Sequence, residues 1–226
     1  MKEDLFSYGI NASKLRIWER GIDRNVFCTI PQPGDNELDG LLSKSRTNIL
    51  FASRLVWEKN LKVLAEIYNE AEIRNLPYNF IIAGDGVARH DLEKNMPKAT
   101  FLGTVGHDML TSLYRRCDVF VFPSISETYG NVLIEAMACG LPCVVASGGG
   151  PLSFVNDGYN GLLVQPENTS DYINAISLLT ADNGLRESVI KNGLEFTSTL
   201  DWNVLVNRFY SILSQLSIKK QTRLVA

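Results

Sequence analysis

No stretch of this chain approaches the roughly 20 consecutive apolar residues that a membrane-spanning helix requires. The opening MKEDLFSYGI has no apolar secretory core, so a cytoplasmic chain is expected, free or peripheral at the inner face of the membrane. Histidine is scarce, with His90 and His107 alone, and neither belongs to a metal-ligand spacing. No metal site is therefore expected, and His107 reads as a surface residue. The HExxH, Walker A and G-x-S-x-G patterns are missing, which removes three common routes to hydrolysis. There is no basic excess either. With 22 Lys and Arg against 25 Asp and Glu, the net charge of −3 gives no reason for general affinity to nucleic acid. The four cysteines, Cys28, Cys117, Cys139 and Cys143, form no CxxC pair. The last three sit among Ala, Val, Leu and Gly, where a reduced thiol acts as a small buried hydrophobe.

What is present is an alternation of two kinds of segment. NILFAS, NFIIAG, TFLG, DVFVFPS, CVVAS and GLLV are short apolar runs. Such continuous runs are buried strands, covered on both faces. Between them lie helical patterns. In NLKVLAEIYNEAEIRN, Leu61, Leu64, Ile67, Tyr68 and Ala71 share one side. ARHDLEKNM, DMLTSLYRR, NVLIEAMACG and a short LSFVN follow, then three helices over 169–180, 184–199 and 201–216. PQPGDNELDG, rich in turn formers, is expected to be an exposed connection. The order predicts an α/β chain with a doubly wound parallel sheet and extra C-terminal helices. Ligands of such sheets bind at the carboxyl ends of the strands, where the strand order reverses.

The loops at that edge hold the candidate chemistry. Arg54 follows the first strand and Lys59 precedes the next helix, in R-L-V-W-E-K-N. Two cations near a helix N-terminus make either a diphosphate clamp or a pair of solvated loop charges. Gly84-Asp85-Gly86 after the second strand is a close-approach turn, and it lacks the third glycine of a dinucleotide fingerprint because Arg89 stands there. Glu127 lies in the loop after DVFVFPS, and Glu135 follows inside a helix that is otherwise apolar nearly all round. A lone carboxylate there must find partners, because an unpaired buried charge costs several kcal/mol, of order 3–5. Ribose hydroxyls could satisfy it, or structural donors could. Tyr129, Gly130 and Asn131 should open this helix, with unpaired N–H groups available to a phosphate or sugar hydroxyl. Ser147–Pro151, S-G-G-G-P, reads equally as a wide turn or a ligand wall.

Taken in order, these pieces resemble the carboxyl-terminal domain of GT-B glycosyltransferases, specifically the retaining family 4. The residues that carry the resemblance are R-L-x-x-E-K-N at 54–60, I-I-A-G-D-G at 81–86, F-L-G-x-V at 101–105 and L-Y-R-R-C-D-V-F-V-F-P-S at 113–124. E-x7-E at 127–135, G-G-P at 149–151, D-G-Y-N-G-L-L-V at 157–164 and D-W-N at 201–203 extend it. It implies one Rossmann-like half of a GT-B fold, and a sugar moved from a nucleoside diphosphate to an acceptor hydroxyl without a metal. Under this resemblance Arg54 and Lys59 neutralise the donor diphosphate, Glu127 contacts the transferred sugar and Glu135 binds the ribose. The backbone of Tyr129, Gly130 and Asn131 meets sugar and phosphate, while Gly84 and the Gly103–Val105 loop line the nucleotide, Val105 beside the base. Ser153 departs from the pattern, standing where members often carry a Glu.

The implied organisation is a linker or inter-domain remnant over 1–46, a nucleotide-sugar-binding domain over 47–200 and a C-terminal helix and tail over 201–226. No cofactor is expected beyond the donor substrate itself. The acceptor, whether glycan, lipid or small molecule, is expected on an amino-terminal domain or partner chain, since 46 residues cannot form one. A non-catalytic nucleotide-sugar-binding module is the alternative. A sugar-nucleotide epimerase would need acid and base groups not evident here.

Overall fold

The computed structural model describes residues 7–11, 15, 18, 20–32, 35 and 38–224, with backbone alone for 216–224. Met1–Phe6, and Pro33, Gly34, Asn36 and Glu37 of the turn-rich segment, lie outside the described residues. Two compact units emerge, one of residues 22–199 and one of 1–21 with 200–226.

The larger unit holds six parallel strands: β1 (Thr47–Ala52), β2 (Tyr78–Ala83), β3 (Thr100–Gly103), β4 (Val119–Phe122), β5 (Cys143–Ala146) and β6 (Leu162–Val164). They lie in the order β3-β2-β1-β4-β5-β6. The helices are α1 (Leu61–Ile73), α2 (Arg89–Asn95), α3 (His107–Arg116), α4 (Asn131–Ala138), α5 (Thr169–Ala181) and α6 (Asn183–Ser198). This is the doubly wound parallel sheet that the apolar runs announce. β4 is buried at every residue, as strands covered on both faces must be. All five residues assigned to the inner side of α1 are buried. The expected helix over LSFVN is instead a 3-10 turn at Gly150–Ser153, where Pro151 supplies a fixed φ at its start.

The turn-rich segment differs from expectation. Asp35 and Leu38 are 5% and 1% exposed, so PQPGDNELDG is not simply an exposed connection. The reason lies 80 residues away: Arg115 reaches Asp35 at 2.6 Å and draws that residue onto α3. All four cysteines are free thiols and buried. Desolvation raises the thiol of Cys139 to about 12 and those of Cys117 and Cys143 further, so they pack as inert hydrophobes.

In the smaller unit α7 (Trp202–Leu224) carries Phe209, whose ring meets the edge of Trp18 at 5.0 Å. No helix among the described residues is long and apolar enough to cross a membrane.

Candidate functional site

The strand order reverses between β1 and β4, so the crevice of this sheet opens between the loops that follow them. Arg54 and Lys59 sit on one lip and Glu127 on the other. The lips are tied together. The Lys59 ammonium lies 2.6 Å from Glu127 Oε1. Ser126 Oγ donates to the Glu58 carbonyl at 2.8 Å, and Asn60 Nδ2 donates to the Pro123 carbonyl at 3.3 Å and to Glu167 Oε1 at 3.2 Å. Asn60 makes this reach from a left-handed backbone, φ 57°, a conformation that Asn tolerates better than most residues.

The two cations differ. Arg54 is exposed and holds Glu58 at 3.4 Å, an i,i+4 contact of little energetic weight that an incoming anion can replace. Lys59 is 6% exposed, so a solvated loop charge does not describe it. A buried ammonium must be paired, and Glu127 is its carboxylate.

Glu135 lies on α4, half-buried between Ile134 and Ala136. Its partner is Tyr114 of α3, whose hydroxyl donates to Oε2 at 3.2 Å. Burial raises the Glu135 carboxyl above its ordinary value, while the tyrosine hydroxyl and the charge of exposed His107 oppose that rise. Among the described residues no direct hydrogen bond joins Glu135 to Glu127 or to either cation.

Gly130 opens α4 in the left-handed region, φ 94°, where an L side chain would be strained. It packs on Pro151, and Tyr129 stacks at a tilt on Phe154, 5.4 Å between centroids. Asn131, the first residue of α4, is exposed. The glycines after β5 act as a brace: a Cβ at Gly149 would come within 2.4 Å of the Ile125 carbonyl, and one at Gly150 within 2.2 Å of that of Thr128. The Gly150 N–H donates to the Glu127 carbonyl at 2.7 Å. The S-G-G-G-P segment is therefore a turn that holds the Glu127 loop in place. Ser153 Oγ donates to the Gly150 carbonyl at 2.7 Å, closing that turn locally.

Gly84 has an analogous explanation. A Cβ there would lie 1.8 Å from the Ser53 carbonyl, and its N–H donates to Gly103 at 2.7 Å. Close backbone packing accounts for the glycine without a ligand. Val105, in the loop between β3 and α3, is partly buried. Two cavities lie away from this crevice. One of about 710 Å³ lies beside β6 and α5, between Asp157, Leu163 and Asn174. One of about 490 Å³ lies at the amino edge of the sheet, near Arg46, Asp118 and Arg186.

Residues 35–196 match the family model described as glycosyl transferases group 1. The chain belongs to the glycosyl transferases group 1 family. Within that family it is 32% identical over 216 residues to a sulfoquinovosyl transferase of Arabidopsis thaliana, covering 91% of this chain and 41% of the relative. It is 29% identical over 209 residues to a GDP-mannose-dependent alpha-mannosyltransferase of Corynebacterium glutamicum, 90% of this chain and 48% of that one. The chain thus spans about half or less of the curated relatives it matches. A crystal structure of Anabaena HepE in complex with UDP superposes with a TM-score of 0.81 at 22% identity, over 95% of this chain and 61% of that one. Sucrose-phosphate synthase from Thermosynechococcus elongatus gives 0.78 at 24%, over 96% of this chain and 57% of the other. At these identities the two structures establish a shared fold.

The resemblance named Lys59 and Glu127 for separate tasks and did not reveal their mutual contact. Sequence reasoning missed Tyr114 at the site and, away from it, the Asp35–Arg115 pair. Tyr114 had a readable signal: the hydroxyl of a tyrosine on a buried helix face needs a partner, as does a lone acid in an apolar helix.

Proposed function

We propose that this chain is the donor-binding, carboxyl-terminal half of a retaining family 4 glycosyltransferase with the GT-B fold. It holds a nucleoside diphosphate sugar while the sugar passes to an acceptor hydroxyl, on a glycan, lipid or small molecule. The acceptor is held by an amino-terminal domain or a partner chain, in the cytoplasm or at the inner face of the membrane. The observation that carries this reading is the Lys59–Glu127 pair, set across the switch-point crevice beside exposed Arg54.

The chemistry follows from where charge develops. As the glycosidic bond breaks, negative charge builds on the leaving diphosphate. Arg54 offers two parallel N–H donors, and Lys59 a point charge already held by Glu127. An ammionium fixed before the donor arrives needs little reorganisation, the condition under which such donors contribute most, about 3–4 kcal/mol each. The N–H groups of Tyr129, Gly130 and Asn131 add the positive end of α4. With these donors the diphosphate needs no bridging metal. Glu135 takes the ribose, Glu127 faces the transferred sugar, and the Gly84 and Gly103–Val105 loops border the base. The Anabaena HepE structures with UDP and with UDP-glucose support a nucleotide sugar as ligand.

Calorimetric titration of the chain with UDP-, GDP- and ADP-sugars tests the proposal. One of them should bind, and Arg54→Ala should weaken it at least roughly tenfold with an unchanged unfolding midpoint. Failure of all three to bind, or wild-type affinity in the variant, overturns it.

A further inference from the structure

Glu135 is oriented from behind by a tyrosine. A Glu carboxylate turns about a terminal torsion that is broad and two-fold, so left alone it samples many directions. Here the Tyr114 hydroxyl donates to Oε2 at 3.2 Å. Tyr114 itself cannot move: it is 1% exposed, and its ring is gripped edge-on by Phe120 of β4 at 5.8 Å and at a tilt by Phe27 at 6.4 Å. Among the described residues it is the hydrogen-bond partner of that carboxylate. An ionised carboxylate accepts about four hydrogen bonds. One site is filled by the tyrosine, and the remaining lone pairs, including all of Oε1, keep a fixed direction.

We propose that Tyr114 is a positioning residue that locks Glu135 to receive the vicinal hydroxyls of a ribonucleoside, and so sets a preference for ribo- over deoxyribonucleotide donors. The inference rests on the assignment of Glu135 to the ribose. Tyr114 touches no substrate and acts through the carboxylate alone. A rotor held in advance loses less freedom when the two hydroxyls bind, and each hydroxyl meets a lone pair already pointed at it.

The experiment compares UDP, GDP and ADP with their 2′-deoxy counterparts by calorimetry, on the full chain. The wild type should favour the ribose form of its best nucleotide by roughly tenfold or more. In Tyr114→Phe that ratio should fall to about threefold or less, mainly by loss of affinity for the ribose form. A generally loosened site would weaken both forms alike and leave the ratio intact, which would overturn the proposal. Glu135→Gln separates the two levels. If Glu135→Gln loses the preference and Tyr114→Phe keeps it, the tyrosine proposal fails and the ribose assignment stands. If neither variant changes the ratio, the ribose assignment fails with it. Should Tyr114→Phe not fold, Phe27→Leu loosens the ring while sparing the hydroxyl. It should lower the ratio in the same direction by a smaller factor, and an unchanged ratio there counts against the proposal.

Discussion

Two ion pairs, Asp35–Arg115 and Lys59–Glu127, share a contact distance of 2.6 Å and little else. The Asp35 carboxylate accepts from Arg115 Nη2 and Nε, from Ser112 Oγ at 2.6 Å and from the Gln32 N–H at 3.1 Å. Its carbonyl takes a further bond from Arg116. Side chains there are 8% and 4% exposed. The Arg115 hydrogen bonds hold the Asp35 carboxyl far below the usual carboxylate range, against the opposing pull of burial. Glu127, by contrast, has one side-chain partner among the described residues, and its side chain is 23% exposed. In the first pair the carboxylate is filled with donors, although Arg115 Nη1 stays buried without a partner among the described residues, and its capacity goes into fastening Asp35 to α3. The second is incomplete and lies at the carboxyl edge, where ligands of such sheets bind. The number of donors already on the carboxylate, more than burial, separates a strut from a site.

That contrast can be broken at either end. Asp35→Asn should cost the most, about 3–5 kcal/mol of stability, because it strands the Arg115 guanidinium in a dry place. Urea unfolding would measure this, and donor affinity should stay within about twofold. The pH dependence has a definite sign. The folded-state value is depressed, so the stabilisation is full above the ordinary carboxylate value. It drains away as pH falls toward the depressed one, and wild type and variant should converge in acid. Lys59→Met should cost less stability than that but weaken donor binding by about 2–3 kcal/mol, roughly 30- to 150-fold. Unchanged titration calorimetry would make Lys59 a second strut.

Glu135→Gln should have the smallest effect and the opposite sign on stability. Desolvation raises the folded-state value of this carboxyl, so its ionisation costs stability as pH rises through the unfolded value and beyond the folded one. Removing the charge should raise the unfolding midpoint at pH 7 by about 2 °C. That gain should vanish below the carboxylate range. A variant that is more stable yet binds the nucleotide worse would mark Glu135 as retained for recognition rather than for folding.

Most of the architecture was legible because apolar runs and helical periodicity are local signals. NILFAS and CVVAS became β1 and β5 within a residue of their expected ends, and α1 buries the side its pattern indicates. What could not be read were pairings between charges distant in sequence. Asp35 looks like any loop aspartate until Arg115 is placed over it, and no periodicity links residues 80 positions apart. At the candidate site, Arg54, Lys59 and Glu127 stood out by residue type and loop position, and Glu135 as a lone acid in an apolar helix. Which of them touch one another depended on crossings between β1 and β4 that only coordinates supply. The S-G-G-G-P segment was ambiguous for a different reason, since glycine is equally suited to ligand and to backbone, and here the neighbour is the backbone of residues 125–128.

That interlock also restricts which substitutions this chain can accept. No side chain larger than hydrogen fits at Gly149 or Gly150 unless the neighbouring loop is rerouted, and that loop carries Glu127. Substitutions that spare this interlock are open at the exposed positions beside it, Leu152 and Ser153. Insertions in the brace itself would displace the loop that carries the Glu127 carboxylate.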